Sequence, residues 1–231
     1  MSKNIPHMPA NAAPQEILQV GVKAAEGAVK LACSFSMEDV AIIDMIKELG
    51  LPIGVFALDT GRLNEETYEV ADAIRMRYGI RIDWYFPRRE AVENLEREKG
   101  LFSFREALEN RHECCHIRKV EPLGRALEGL AGWITGLRRE QSVTRGDLAP
   151  VEFDELNGAI LKINPLLAWS EEDLAGYAQE RDIPTNRLYK QGYRSIGCAP
   201  CTRPVAPGEH PRAGRWWWES PEHKECGLHR R

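Results

Sequence analysis

The stretch Val29-Lys30-Leu31-Ala32-Cys33-Ser34-Phe35-Ser36-Met37-Glu38-Asp39 decides the fold, because an apolar strand runs here directly into the start of a helix. From Glu38 to Leu49 the apolar residues recur at helical spacing, and Gly50 ends the pattern. A second short apolar strand, Ile53 to Leu58, comes next and is closed by Asp59-Thr60-Gly61. The order strand, helix, strand indicates parallel strands joined by right-handed crossovers.

The same alternation continues along the chain and predicts an α/β fold, with a mostly parallel twisted sheet and helices on both faces. Two Ser-x-x-acid patterns, Ser103 with Glu106 and Ser170 with Asp173, predict capping boxes at helix starts. The other expected elements are a helix from Asn64 to about Tyr78, strands at Ile80–Phe86, Trp133–Leu137 and Ile160–Ile163, a helix near Ala107 and one ending at about Glu180.

Three parts are expected along the chain. Residues 1–15 carry three prolines and few large apolar groups, which is typical of a loose lead-in. Residues 16–195 are predicted to form the α/β domain. From 196 to 231 prolines and glycines are frequent, so we expect a C-terminal segment without long helices or a core of its own.

The composition is ordinary for a soluble protein, with a formal net charge of -4 at pH 7. No apolar run approaches the ~20 residues that a membrane span requires, and the N-terminus lacks the apolar core of a secretory signal. We therefore expect a cytoplasmic, reducing location and neither a membrane nor a nucleic-acid partner. In that setting, close cysteine pairs favour metal binding or catalysis over disulfides.

Four of the six cysteines form two close pairs, Cys114-Cys115 and Cys198-Ala199-Pro200-Cys201. A redox dithiol, half of a zinc site and an iron–sulfur cluster all compete for such pairs. Adjacent side chains rarely reach one tetrahedral metal ion comfortably, whereas two irons of a cluster are easier to reach. The adjacent pair therefore favours a 4Fe–4S cluster, with Cys114, Cys115, Cys198 and Cys201 as its ligands.

The two remaining cysteines differ in their surroundings. Cys33 lies in an apolar strand and is most simply a core residue. Cys226 lies near the carboxy-terminus in Glu225-Cys226-Gly227-Leu228-His229, where packing does not explain a thiol. With four cysteines on the cluster and one in the core, Cys226 is a nucleophile without an internal resolving thiol, so turnover would need an outside thiol.

Ligands of parallel sheets bind beyond the carboxyl ends of the strands. Three loops qualify, each with groups that could hold a nucleotide: Ser34 to Asp39, Asp59 to Arg62 and Gly136 to Arg145. Ser34 to Asp39 offers backbone N–H groups and serine hydroxyls at a helix start, although serines there are more often plain caps. Gly136 to Arg145 offers three arginines beside serine and threonine. A solvated charged turn is an equally good interpretation of the loop from Gly136 to Arg145.

Taken together, the motifs resemble the iron–sulfur, thioredoxin-dependent adenylyl-sulfate reductases, a branch of the phosphoadenylyl-sulfate reductase family within the PP-loop superfamily. The resemblance spans nearly the whole chain, and its most specific part is the set of cysteine motifs. The matching stretches are Ser34-Phe35-Ser36-Met37-Glu38-Asp39, Leu58-Asp59-Thr60-Gly61, Cys114-Cys115 through Lys119, Thr135-Gly136-Leu137-Arg138-Arg139, Cys198-Ala199-Pro200-Cys201 and Glu225-Cys226-Gly227-Leu228-His229.

The resemblance implies reduction of adenosine 5′-phosphosulfate to sulfite and AMP, through an S-sulfocysteine on Cys226 that thioredoxin or a similar dithiol protein then cleaves. It also assigns substrate-binding residues of three kinds. These are Ser34, Ser36, Leu58 and Gly136 on the adenosine-binding loops, Arg138, Arg139 and Arg145 on the arginine loop, and Lys119, Arg212, Arg215 and His229 at the phosphosulfate.

Three alternatives remain open at this stage. The closest alternative is the same chemistry on 3′-phosphoadenosine 5′-phosphosulfate. Assembly into a homo-oligomer is a separate question that the sequence leaves undecided. A PP-loop ATP pyrophosphatase of the tRNA-thiolating kind is less favoured, because Phe35 and Met37 stand where its glycine-rich loop would let backbone approach phosphates. The third is a zinc-stabilised binding module.

Overall fold

The computed structural model describes residues 5–9, 11–141 and 148–220. Its chain divides into two compact units, each assembled from segments that lie far apart in the sequence. The first, which we call the sheet unit, comprises Met1–Ala57, Thr67–Asp83 and Gly129–Asn186; the second, which we call the cysteine unit, comprises Leu58–Glu66, Trp84–Glu128 and Arg187–Arg231. Within the described ranges, no helix combines the length and apolar character that crossing a membrane requires.

Among the described residues, six strands form one sheet in the order β3-β2-β1-β4-β6-β5. β1 pairs in parallel with β2 and β4, and β4 pairs in parallel with β6, whereas β5 runs antiparallel to β6. The predicted mostly parallel α/β sheet is thus confirmed. The strands are β1 Val29–Cys33, β2 Gly54–Leu58, β3 Ile82–Tyr85, β4 Gly132–Ile134, β5 Val151–Asp154 and β6 Ile160–Ile163.

Helices alternate with the first strands, and three of them lie between β3 and β4. The helices are α1 Pro14–Ala25, α2 Met37–Glu48, α3 Glu65–Tyr78, α4 Arg89–Lys99, α5 Leu108–Cys115, α6 Glu121–Leu127 and α7 Glu171–Glu180, with a π-helical turn at His116–Val120 between α5 and α6.

α2 is buried on all sides from Glu38 to Ile46, which explains its central place in the sheet unit. Val40, Ile42 and Ile43 are all fully buried, and α2 packs against β1 and α7. Cys33 on β1 is buried as well, which confirms its place in the core. Burying a run of large aliphatic side chains stabilises the unit by about 1.5–3 kcal/mol for each.

One of the two predicted capping boxes is confirmed. At the start of α7, Ser170 Oγ accepts a hydrogen bond from Asp173 N, and Asp173 accepts from Ser170 N. The box at Ser103 was wrong: Ser103 Oγ donates instead to the carbonyl of Gly100, and residues 103–105 form a 3₁₀ turn. The next helix, α5, begins at Leu108 after an extended Ala107.

Four of the helices and strands were not predicted: α1, α4, α6 and β5. Pro14, which was assigned to the loose lead-in, stands at the first position of α1, where its missing N–H costs nothing. The α4 sequence is strongly charged, and Leu95 is its buried residue. β5 is a short strand of mixed polarity that pairs with β6 on one side of the sheet.

Candidate functional site

The sheet unit carries a pair of loops at the position where parallel sheets bind ligands. β1 continues through α2 towards β2 on one side, whereas its other neighbour, β4, comes much later in the chain. This change of direction makes the gap between β1 and β4 a topological switch point. Since β1 and β4 are parallel, the loops that follow them leave the sheet at the same edge.

The loop after β1 is held together by the buried carboxylate of Asp39. This carboxylate accepts hydrogen bonds from both the backbone N–H and the hydroxyl of Ser34, each at 2.7 Å. Ser36 caps α2 by accepting from Asp39 N, and Phe35 between the two serines has φ of +63°. Burial raises the pKa of Asp39 to about 6, and the hydrogen bonds from Ser34 offset part of that rise.

The loop after β4 approaches this helix start closely. A Cβ placed on Gly136 would lie 2.5 Å from Asp39 Oδ1 and 2.9 Å from Glu38 Cβ. Glycine at position 136 therefore lets the two loops touch, so the predicted residues Ser34, Ser36 and Gly136 do come together.

Replacing Gly136 with alanine is therefore expected to destabilise the protein by about 1–3 kcal/mol, because the added methyl group meets the first turn of α2. Thermal or urea unfolding measures the change. Gly176→Ala in α7 is the matched control, since a Cβ there would meet nothing within 4 Å and alanine favours helix. Equal stability of the two variants would contradict the close approach.

The arginine loop is tied to the same helix start. Arg138 Nε donates to Glu38 Oε1 at 3.0 Å, and Gln141 Nε2 donates to the same oxygen at 2.7 Å. Arg139 donates to the carbonyl of Leu148 at 3.1 Å. Arg138 is buried in this arrangement, so its first role here is to join the loop to α2. The assignment of both arginines to the nucleotide stays a prediction.

The cysteine unit contains a cavity lined by all four cysteines of the two pairs. Cys114 and Cys115 close α5 directly before the π-helical turn, a feature that is common at functional sites. Cys198 and Cys201 flank a short turn in which Cys201 N donates to Cys198 O at 2.9 Å. The other residues that line the cavity are Arg62, Phe104, Arg111, Arg118, Lys119, Arg215 and Trp216.

The environment of the thiols differs from one to the next. Burial raises the pKa of Cys198, but the charge of Lys119 and a 3.3 Å hydrogen bond shared with Thr60 Oγ1 lower it overall. Burial, together with the neighbouring Cys198, raises the pKa of Cys201 to about 12. Burial also raises the pKa of Cys114. A compact set of mutually interacting thiols thus lies beside fixed positive charge.

A single carboxylate organises part of that positive charge. Glu96 Oε1 accepts from Arg62 at 2.5 Å and from Arg118 at 2.6 Å. Arg118 also donates to the backbone carbonyl of Thr60 at 2.7 Å. The buried Nε atoms of Arg118 and Arg215 nevertheless find no hydrogen-bond partner among the described residues. Buried donors without acceptors at a cavity wall fit an anionic occupant.

The donor set fits the predicted cluster. Four thiolates with iron and sulfide make an anionic group, and the cavity wall supplies guanidinium and ammonium groups to balance it. Within the described ranges, no three His, Cys, Asp or Glu side chains are grouped to hold one metal ion. A cluster differs from a single ion because each of its irons takes one thiolate. The 4Fe–4S cluster stays a prediction.

Residues 216–219 are anchored in the cysteine unit. Trp216 is buried, and the guanidinium groups of Arg111 and Arg215 lie 4.7 and 4.6 Å from its ring centre. Arg111 also donates from Nε and from a terminal nitrogen to the two oxygens of Glu219, each at 2.9 Å. Trp218 packs against the small core of Leu95, Phe104 and Cys114. Trp216 and Trp218 thus hold residues 216–219 against the rest of the cysteine unit.

The remaining predicted residues divide into two groups. Leu58 is the last residue of β2, and Lys119 and Arg215 line the cavity. Arg212 is half-buried. Arg145, Cys226 and His229 lie outside the described residues, so their assignments stay predictions.

Sequence reasoning missed several residues of the cavity. Thr60, which contacts Cys198, and Arg62 lie in the loop from Asp59 to Arg62, which was expected to suit a nucleotide and not a cysteine. Arg118 directly precedes Lys119 and could have been found by asking which neighbours share its charge. Glu96 and Arg111 are distant from Cys198 in sequence, and no spacing rule points to them.

Comparison with known proteins agrees with this arrangement. The Phosphoadenosine phosphosulfate reductase domain family matches residues 28–204. The adenosine 5'-phosphosulfate reductase of Burkholderia cepacia is 52% identical over 201 residues, 87% of this chain and 80% of that protein. The protein of the same name from Allochromatium vinosum is 49% identical over 88% of this chain and 79% of its own.

A solved structure gives the same result at the level of the fold. The phosphoadenylyl-sulfate reductase of Candida auris, in a phosphate complex, matches with a TM-score of 0.71 and 28% identity, covering 84% of this chain and 91% of that one. The chain therefore belongs to the phosphoadenosine phosphosulfate reductase family.

Proposed function

We propose that this protein reduces adenosine 5′-phosphosulfate to sulfite and AMP in assimilatory sulfate reduction. The observation that carries the proposal is the cavity in which both cysteine pairs meet a cationic wall. Relatives at 49–52% identity that are named for this activity support the choice of substrate. A reducing location, the cytoplasm, suits a protein that depends on its thiols.

The proposed reaction proceeds in two displacements at sulfur. The thiolate of Cys226 attacks the sulfate sulfur, the bond from that sulfur to the bridging phosphate oxygen breaks, and AMP leaves with that oxygen. The enzyme then carries an S-sulfocysteine. A thiolate of thioredoxin attacks the Cys226 sulfur and expels sulfite, and the second thiol of thioredoxin resolves the mixed disulfide. The dithiol is oxidised to a disulfide, and sulfur receives the two electrons.

The substrate demands two kinds of site, and the chain offers both. The loops at the switch point, with Ser34, Ser36 and Gly136, are proposed to hold the adenosine. Lys119, Arg212, Arg215 and His229 are proposed to neutralise the phosphosulfate, because two anionic centres oppose the approach of a thiolate. Leu58, Arg138, Arg139 and Arg145 complete the proposed binding residues.

Cys114, Cys115, Cys198 and Cys201 would hold a 4Fe–4S cluster. When bound, that group supplies a fixed anionic centre that orders the surrounding cations. The displacement itself needs no electrons from it. Lys119 and Arg215, which line the cavity, are therefore proposed to be held in place for the phosphosulfate.

The test is sulfite release from adenosine 5′-phosphosulfate and from its 3′-phosphorylated form, with reduced thioredoxin. We expect faster release from the unphosphorylated nucleotide. The reverse preference would assign the protein to the second substrate, the name that the Candida auris structure carries. Absence of sulfite from both substrates, in protein that contains its metal, would contradict the proposal.

Iron and acid-labile sulfide in the purified protein test the cofactor separately. We expect about four of each per chain, following the cluster stoichiometry. Zinc without sulfide would support a zinc-stabilised module instead.

A further inference from the structure

The cysteine unit presents an exposed apolar surface beside its cavity. Leu101 is 62% exposed, Phe102 is 54% exposed and Trp217 is 38% exposed. The exposed Arg105 lies between the two rings, with its guanidinium 5.1 Å from the centre of Phe102 and 5.4 Å from that of Trp217. We call these four residues the aromatic patch.

Contacts with neighbouring aromatic rings and with the backbone hold the aromatic patch in place. The guanidinium of Arg105 also lies 5.6 Å from the ring centre of Phe104 and 5.5 Å from that of Trp218, both of which belong to the small core near Cys114. In addition, Arg105 donates a hydrogen bond at 2.9 Å to the carbonyl of Pro200, between Cys198 and Cys201. The patch is thus fixed before any partner arrives, which lowers the entropy cost of binding.

The composition of the aromatic patch is that of a binding surface. Leaving large apolar side chains together in water is unfavourable, and contiguous patches of this kind mark interaction sites. Aromatic residues and arginine are enriched at the centres of protein interfaces, where few residues carry most of the binding energy. Arg105 adds a positive charge that would suit an acidic group at the rim of a partner.

The place of the aromatic patch in the chain indicates what covers it. Trp217 lies nine residues before Cys226, and the described chain ends at Ser220. An extended chain spans at most about 3.6 Å per residue, so Cys226 stays within about 22 Å of Ser220. A protein that attacks a sulfur on Cys226 must therefore come within about 22 Å of Ser220, three residues after Trp217.

We propose that the aromatic patch is the docking surface for the dithiol protein that releases sulfite from Cys226. This inference rests on the proposed function. The partner is a small protein with an exposed reactive thiol and an apolar surface around it. Contact with the patch would raise the local concentration of that thiol near Cys226, as a second binding site does in any tethered reaction.

The test compares two reductants in the full-length protein with its metal. The double variant Leu101→Ser with Phe102→Ser removes apolar contact while keeping the backbone that other residues bind. We expect the KM for reduced thioredoxin to rise at least about tenfold, the effect of losing about 1.4 kcal/mol of interface energy. Turnover with dithiothreitol, which is too small to need the patch, is expected to stay within about twofold of wild type.

Leu156→Ser is the matched control, since Leu156 is 65% exposed and lies in the sheet unit. Leu156→Ser is expected to change neither the KM for reduced thioredoxin nor the turnover with dithiothreitol. An unchanged KM for thioredoxin in the double variant would overturn the docking proposal and leave the function intact. So would an equal fall in both rates, or a change of oligomeric state in sedimentation without a change of KM. A wild-type protein inactive with both reductants would instead overturn the function, and this proposal with it.

Discussion

Replacing Cys226 with serine is expected to lower the rate of sulfite release by roughly four orders of magnitude or more, the scale seen when a covalent nucleophile is removed. A serine hydroxyl is almost entirely protonated at neutral pH and cannot form the sulfur–sulfur bond of the intermediate. The loss should occur with thioredoxin and with dithiothreitol alike. Iron content and nucleotide binding should remain those of the wild type, because Cys226 is not among the proposed cluster ligands.

Mass spectrometry gives this prediction a direct readout. Wild-type protein mixed with adenosine 5′-phosphosulfate, before any reductant is added, should carry a sulfo group on the peptide that contains Cys226. Cys33→Ala is the matched control, because Cys33 is buried in β1 and should leave both the adduct and turnover intact. Turnover that survives in Cys226→Ser would remove the nucleophile assignment.

Replacing Glu219 with alanine is expected to lower the free energy of unfolding by about 3–5 kcal/mol. The side chains of Arg111 and Glu219 are 1% and 8% exposed, and both carboxylate oxygens accept from the guanidinium. Alanine would leave the charge of Arg111 buried without its counterion, beside the ring of Trp216. Urea unfolding, followed by tryptophan fluorescence, measures the change.

A second ion pair of the same unit provides the control. Arg203 and Glu209 form a salt bridge at 3.2 Å, but their side chains are 38% and 35% exposed. Because water screens such a pair, Glu209→Ala should cost no more than about 1 kcal/mol. Similar losses of unfolding free energy in the two variants would show that burial does not decide how much the Arg111–Glu219 pair stabilises the protein.

The parts of the fold that were predictable are those in which one signal dominates. β1, β2 and β6 are short stretches in which buried apolar residues dominate, and α2 and α7 have serine caps that the structure confirms. α4 was missed because charged residues surround its apolar Val92 and Leu95 and make the stretch typical of a solvated surface. β5 was missed because its alternation of apolar and acidic residues covers only four positions, Val151–Asp154, too few for a clear strand pattern.

The candidate site shows the same division. The cysteine pairs are visible in the sequence, because residues that share one cofactor often lie close together in the chain. The positive wall of the cavity is not visible in this way. Arg62, Glu96 and Arg118 meet only after folding, and each taken alone is typical of a solvated surface charge. Tertiary structure decides their role.

The discontinuous assembly of the cysteine unit has a consequence for biosynthesis. Cys114 and Cys115 emerge from the ribosome more than eighty residues before Cys198, and the intervening chain includes much of the sheet unit. The long excursion makes closure of this unit a non-local event, which slows folding and prolongs exposure of reduced thiols. Yield of folded protein in cells should thus be set by how quickly a newly made chain brings its two cysteine pairs together.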